Sequence, residues 1–542
     1  MKIFGRPLAR RPFDFNDGRV SVMGNIEKIQ NGYKITGAIK GRAGRVEIFR
    51  CPAPKEFLLN NWQSWGPMQK MAPGQKQEGL EERMAKQSRY VFTPIPDTIL
   101  SHLVSDYFLA WEGAVAGFLT SKAAHPFFII ENDQLVGCLE YFNTLFSEPV
   151  PLDPLVILQG DSVETLLENY ADLAAAENRA SVPGWNPVGW SSWYHYFANL
   201  CLEDVEKNLK IARAGFPFEV FQIDDGFEKD IGDWRQVKEG FLPLPDLART
   251  IREHGFTAGL WTAPFSASET SELFNRHKDW MVSEGGRPKE CYKGWKKKIY
   301  ALDTSHPEVK TWLYEMFSSL KKMGFDYFKI DFIFSAAMEG ARARNVTPIQ
   351  GYREGLEVVR QAVRGGFLLG CGAPLLPSIG LVNGMRIGED TAPFWNSMLA
   401  PFQGVNALYA LKNSIMRYFM HKRWWLNDPD CLLLRSQDIE LTANERELYA
   451  LVAGSLDNMI IESDDLELVD DWGKQLLNKA IGLKGGNVHV KGLMGDCPYL
   501  IESAGGPAGT FRLAANLSDG PKALEGREVP GRSAVFLSTP AI

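Results

Sequence analysis

From residue 187 to 465 the chain alternates between two hydrophobic rhythms. Short, contiguous apolar runs read as buried strands, and stretches with apolar residues three and four apart read as helices. The strand-like runs are VGWSSWY (188–194), FEVFQIDDG (218–226), FTAGLWTAPF (256–265), YFKIDFIF (327–334), GFLLGCG (366–372), GMRIGED (384–390), RWWLNDPD (423–430) and DNMIIESDD (457–465). Helical patterns such as CLEDVEKNLKIARAG, LPDLARTIREHG and HPEVKTWLYEMFSSLKKMG lie between them. Eight strands alternating with helices predict a (β/α)8 TIM barrel. Two places break the rhythm. An insertion, SEGGRPKECYKGWKKK, lengthens the gap between the third and fourth strands, and APLLPSIGLVN replaces a full helix between the fifth and sixth.

Either side of this region the pattern changes. Residues 1–180 hold short β-rich runs such as GYKITGAIKG, RVEIFRC and HPFFIIEND, punctuated by Gly, Asn and Asp, which predict a β-sandwich. A helical stretch, SVETLLENYADLAAAEN, precedes the breaker SVPGWNP. After residue 465, runs such as NVHVKGL and TFRLAANLS sit among Gly and Pro. The expected architecture is multidomain α/β: an N-terminal β-sandwich (1–180), the barrel (181–465) and a small C-terminal β domain (466–542).

Composition narrows the function classes. A formal net charge of -7 without long basic runs argues against nucleic acid. No stretch approaches the roughly 20 apolar residues of a membrane helix, and the first residues lack an apolar signal core. Seven cysteines at 51, 138, 201, 291, 371, 431 and 497 form no CxxC and fit a reducing, cytoplasmic compartment. The eight histidines are scattered and no HExxH appears, so no metal site is indicated.

The candidate chemistry lies at the strand ends. A parallel sheet covered on both faces should be apolar, yet most of these strands end in polar residues, where barrel active sites form. The first carries Trp193 and Tyr194, the second Asp224 and Asp225, the third Trp261 and the fourth Lys329 and Asp331. The fifth ends at Cys371, and the sixth carries Arg386, Gly388 and Asp390. One acid at a strand end can simply cap a helix; the whole set is poorly explained that way. Residues two apart on a strand share a face, so Lys329 is expected beside Asp331, holding its carboxyl ionised as a nucleophile requires. Gly388 is expected to let a ligand approach the backbone. Strands four and six lie about 10 Å apart, so inward-leaning Asp331 and Asp390 could approach to roughly 5–6 Å, near the separation of retaining glycosidases.

The motifs GWSSWYHYF, FQIDDGFEKDIGDW, LWTAPFS, YFKIDF, GCGAPLLP, GMRIGEDTAPFW and WLNDPD, with the earlier LLNNWQSWGP, together resemble the α-galactosidases of glycoside hydrolase family 36 in clan D, the shorter bacterial type in particular. The resemblance implies a retaining double displacement without cofactor. It casts Asp331 as nucleophile and Asp390 as acid/base. It casts Asp224 and Asp225 as readers of the galactose C4 and C6 hydroxyls. Trp261, Lys329, Cys371 and Arg386 become further pocket residues, Trp193 and Tyr194 the aromatic wall, and Trp65 a tryptophan delivered by the N-terminal domain. The implied substrates are melibiose, raffinose-type oligosaccharides or galactomannan side chains, with α-N-acetylgalactosaminides as the alternative. The chain departs from the larger members after strand four (Phe332, Ile333, Phe334) and after strand five (Cys371, Gly372, Ala373, Pro374). A monomer or a homo-oligomer is compatible with the shorter chain.

Overall fold

The computed structural model describes residues 2–3, 6–7, 13–16, 20–75, 103–396 and 405–541. Its centre is a ring of eight parallel strands: β1 (Val188–Ser191), β2 (Val220–Ile223), β3 (Thr257–Thr262), β4 (Tyr327–Ile330), β5 (Phe367–Gly370), β6 (Gly384–Arg386), β7 (Leu426–Asp428) and β8 (Ile460–Glu462). They run in the order β7–β6–β5–β4–β3–β2–β1–β8. The Met459 N–H donates to the Asn427 carbonyl at 2.9 Å and closes the ring between β7 and β8. Apart from Thr257, every residue of these strands is buried. Such strands must read as contiguous apolar runs rather than alternations.

Helix α1 (Val163–Asn178) precedes the barrel. The barrel helices are α2 (Leu202–Gly215), α3 (Leu244–Glu253), α4 (Pro307–Met323), α5 (Pro348–Ala362), α6 (Ala407–Met416), α7 (Ala443–Ser455) and α8 (Asp471–Gly482). Their ends are written locally. In α5, Thr347 and Gln350 form a reciprocal capping box around Pro348, which opens the first turn. In α4, Pro307 opens the first turn and Gly324, at φ 111, closes the last. Between β5 and β6 there is only the four-residue helix Leu375–Ser378. Helix α8 falls in the region expected to be β. It follows β8 and packs on α7, where Gly454 admits its backbone: a Cβ there would sit 2.2 Å from the Ala480 carbonyl oxygen. Beyond it, Asn487–Lys491, Tyr499–Gly506, Gly509–Asn516 and Ser533–Ser538 make a four-stranded antiparallel sheet.

Among the described residues the N-terminal domain is one antiparallel network of 13 strands built on two long ones, Gly32–Pro52 and Gln134–Pro151. Strands Leu103–Asp106 and Phe108–Trp111 are separated only by Tyr107, at φ 69, yet they pair with different parts of the network. The sheet therefore folds over on itself around a core that includes Phe49, Phe118, Phe128 and Leu155.

The segment 60–68 of this domain is fastened to the barrel. Ser64 N–H donates to the Ala373 carbonyl at 2.9 Å, and Leu375 N–H to the Trp62 carbonyl at 2.9 Å. Fully buried Arg417 donates to the Ser64 carbonyl at 2.8 Å, to Asn60 Oδ1 at 2.9 Å and to the Ile387 carbonyl at 2.7 Å. Burial pulls this guanidinium down to about 9. It therefore serves as a polar clamp between two domains and the loop after β6.

Candidate active site

Strand β4 ends one residue before Asp331. The chain then turns sharply through Phe332, which is held at φ 51, into the 3-10 turn Ile333–Ala337. A non-glycine residue in this left-handed region is strained, as is common at functional sites. The turn aims the Phe332 N–H back at Asp331 Oδ1, 2.7 Å away. From β3, the Trp261 indole N–H donates to Asp331 Oδ2 at 3.2 Å. The expected Lys329–Asp331 ion pair is not formed. Lys329 Nζ lies 2.8 Å from Asp224 Oδ2 instead, past the intervening strand β3. Asp331 has left the strand, so the two-residue periodicity that would have set it beside Lys329 no longer applies. Burial pushes the Asp331 carboxyl up from its ordinary value, while Lys329, a hydrogen bond from Cys371 and the Trp261 indole pull it back.

Asp224 and Asp225 follow β2. Asp224 is 2% exposed and heavily bonded: it accepts from Lys329, from Gln222 Nε2 at 2.5 Å and from the Asp225 N–H at 2.9 Å. Asp225 accepts from the Trp295 indole N–H at 2.8 Å. Burial raises the Asp225 carboxyl, with Glu228 and Trp295 working against the rise. Trp295 comes from the insertion between β3 and α4. There two strands, Glu290–Gly294 and Lys297–Ala301, form a hairpin whose tip, Trp295–Lys296, has φ values of 50 and 59. What looked in the sequence like an irregularity is an arm that reaches over the mouth.

On the other side, β6 ends at Arg386 and Asp390 stands in the loop beyond it. Arg386 Nη2 reaches Asp390 Oδ1 at 2.8 Å. Gly388, expected to admit a ligand, is not among the residues lining the cavity; it lies against α6, where a Cβ would meet the Ala410 Cα at 3.4 Å.

Eight of the sequence-predicted residues line one cavity of about 280 Å³: Trp65, Trp193, Asp224, Asp225, Trp261, Lys329, Asp331 and Asp390. Three others stand behind it. Tyr194, expected in the aromatic wall, is 3% exposed and donates its hydroxyl hydrogen to Asp430. Cys371 is fully buried beneath Asp331, and burial pushes its thiol well up, keeping it a donor. Arg386, 1% exposed, holds Asp390 from below. The sequence reading missed Lys293, Gly294, Trp295, Phe332, Glu389 and Val405 in the lining. A lone tryptophan in an otherwise polar insertion on the active-site face was the available signal for Trp295.

Trp65 enters from the N-terminal domain, edge-on to Phe332 and Phe334. Gly372, at φ 50, makes its room: a Cβ there would sit 2.8 Å from the Trp65 ring. The buried indole N–H of Trp65 has no partner among the described residues. A buried donor of this kind is free for a ligand hydroxyl. Small, acidic and walled by tryptophans, the cavity suits one sugar ring.

A (β/α)8 barrel with Asp331 and Asp390 lining one such cavity fits the glycoside hydrolase class. The family model described as "Alpha-galactosidase, N-terminal" matches residues 25–159, and the one described as "Melibiase" matches 186–350, together more than half of the chain. The sequence is 31% identical over 144 residues to α-galactosidase AgaA of Geobacillus stearothermophilus; the match takes in 24% of this chain and only 18% of AgaA. Among solved structures, TtGalA, the α-galactosidase of Thermus thermophilus, in complex with p-nitrophenyl α-D-galactopyranoside has a TM-score of 0.72 at 25% identity, covering 96% of this chain and 99% of that one. The same enzyme in complex with stachyose gives 0.71 at 27% identity, covering 87% and 99%. The chain belongs to the α-galactosidases of glycoside hydrolase family 36. Among the described residues no helix is long and apolar enough to cross a membrane.

Proposed function

We propose that the protein is a retaining α-galactosidase that releases terminal α-D-galactosyl residues from oligosaccharides. One observation carries the reading: Asp331 and Asp390 open into the same cavity from β4 and the loop after β6, with Asp224 and Asp225 beside them. The ring fills the cavity and the aglycone leaves through its mouth. Asp331 attacks the anomeric carbon while Asp390 protonates the departing oxygen; Asp390 then takes a proton from the water that cleaves the glycosyl–enzyme bond. Phe332 N–H and Trp261 hold the attacking carboxylate in line. Adjacent Asp224 and Asp225 offer acceptors to the C4 and C6 hydroxyls, and Trp65 offers a donor. The stachyose complex of TtGalA supports an oligosaccharide substrate of this kind.

The test compares nitrophenol release from the 4-nitrophenyl α-galactoside, α-glucoside and α-N-acetylgalactosaminide. Release from the galactoside alone is expected. Preferential release from the acetamido sugar would move the reading to an α-N-acetylgalactosaminidase, and silence on all three would contradict it.

The pH dependence follows from the environment of Asp331. The nucleophile must be ionised, and burial raises its carboxyl above the ordinary aspartate value. Activity is therefore present above the raised value and lost as pH falls through it. The acid limb of kcat/KM is expected at a higher pH than an ordinary aspartate's, about 3.9. A limb at or below that value, measured on the nitrophenyl galactoside, contradicts the assignment.

A further inference from the structure

Arg386 is shared between two carboxylates of different standing. Its Nη2 donates to Asp390 Oδ1 at 2.8 Å, and its Nη1 lies 3.0 Å from Asp430 Oδ1. The Asp390 side chain is 34% exposed to the cavity, whereas that of Asp430 is 2% exposed. Asp430 follows β7 at φ 80, a left-handed position that a non-glycine residue holds only when its surroundings fix it. They do fix it. Oδ2 of Asp430 accepts from the Tyr194 hydroxyl and from the Thr391 N–H at 2.7 Å, while its own N–H donates to Asp428 Oδ1 at 2.9 Å. Tyr449 of α7 anchors the same turn by donating to the Pro429 carbonyl at 2.7 Å.

A guanidinium given wholly to one carboxylate holds that carboxylate ionised. A general acid cannot work in that state, because it must carry a proton to the leaving oxygen. We propose that Asp430 is a positioning residue that takes up half of the Arg386 charge and so leaves Asp390 able to hold and deliver a proton. This rests on the reading of Asp390 as the acid/base. The groups that set the balance come from several elements. Arg386 comes from β6 and Asp428 and Asp430 from β7 and its turn. Tyr194 comes from the four-residue helix Trp193–Tyr196 after β1 and Tyr449 from α7. Across the mouth stand Lys329 and Asp331, with Cys371 below them. Lys329 is answered by Asp224 at 2.8 Å, and among the described residues Arg386 is the cation within ion-pair distance of Asp390.

The two partners of Asp430 predict shifts of opposite sign. In Asp430→Asn, Asp390 is the carboxylate left in ion-pair contact with Arg386, and it gives up its proton at lower pH. The alkaline limb of kcat/KM on melibiose moves down by about one pH unit, and the neutral-pH value falls about tenfold or more, within the range general acid catalysis supplies. α-Galactosyl fluoride, whose leaving group needs no proton, is cleaved within about threefold of the parent rate by the same argument. In Tyr194→Phe, Asp430 loses a donor and draws harder on Arg386, so the limb moves up. Both limbs are measured on folded protein, checked by circular dichroism. Equal losses on melibiose and fluoride with an unmoved limb overturn the proposal, as do shifts of the same sign in the two variants. If Asp430→Asn does not fold, Tyr194→Phe decides alone: an upward shift supports the proposal and an unmoved limb overturns it. Asp390→Gly separates the two layers. If its kcat/KM falls on melibiose but holds on the fluoride, whose first step needs no proton, while the Asp430 and Tyr194 variants leave the limb unmoved, only the role of Asp430 fails. If it keeps both, the acid/base reading itself fails.

Discussion

Asp331→Ala loses turnover of every α-galactoside, on the order of 10⁴-fold or more, as removal of a covalent nucleophile does. Added azide restores part of the rate and leaves a β-galactosyl azide. The azide enters the space vacated by the carboxylate and attacks from the same face, and the intact Asp390 still protonates the leaving group. The loss is one of chemistry rather than folding, because Lys329 keeps its ion pair with Asp224 when Asp331 is gone. Mass and proton spectra of the product decide the matter. An α-configured azide, or no rescue at any concentration, assigns the nucleophile elsewhere.

Asp390→Gly gives the complementary pattern. Cleavage of melibiose, whose leaving group needs a proton, falls by about 10²–10⁴-fold. Nitrophenyl galactosides with strongly acidic phenols still react in the first step, and the glycosyl–enzyme accumulates because no base activates water. Azide then attacks that intermediate and yields the α-galactosyl azide, opposite to the product of the Asp331 variant. Steady-state rates on melibiose and 2,4-dinitrophenyl α-galactoside, with and without azide, test this. Equal losses on the two substrates contradict an acid/base role.

The barrel was legible in the sequence because its strands are buried on both faces. They appear as apolar runs with polar residues at one end, and that end is the active-site face. Strand lengths were less legible. YFKIDFIF reads as one strand through Phe334, but the strand stops at Ile330 and Phe332 turns left-handed. Phe332 and Phe334 are apolar because they pack against Trp65 and Tyr292, and Phe334 also against Trp62, not because they extend the sheet. The same misreading paired Lys329 with Asp331. The order β4–β3–β2 in the ring, in which β2 and β4 flank β3 and turn their inward side chains toward each other, is what gives Lys329 to Asp224. Composition could not show that APLLPSIGLVN holds a single four-residue helical turn, or that residues 471–482 still belong to a barrel helix. In the latter case a polar helix followed by strand-rich sequence was read as all β.

The site was legible as a set of residue types and much less so as layers. Asp331, Asp390, Asp224 and Asp225 fall on the cavity wall, but Tyr194, Cys371 and Arg386 stand one step behind it. Which side of a barrel-mouth loop faces the ligand depends on contacts that arrive from distant parts of the chain. Trp295 arrives on a hairpin from the insertion after β3, and Trp65 crosses from another domain through the gap left at Gly372.

The configuration of the first-formed product tests the central claim most directly. Proton spectra recorded within the first turnovers on 4-nitrophenyl α-galactoside, before mutarotation, are expected to show α-galactose, the product of two displacements through Asp331. β-Galactose appearing first would mean a single displacement by water and would contradict the account.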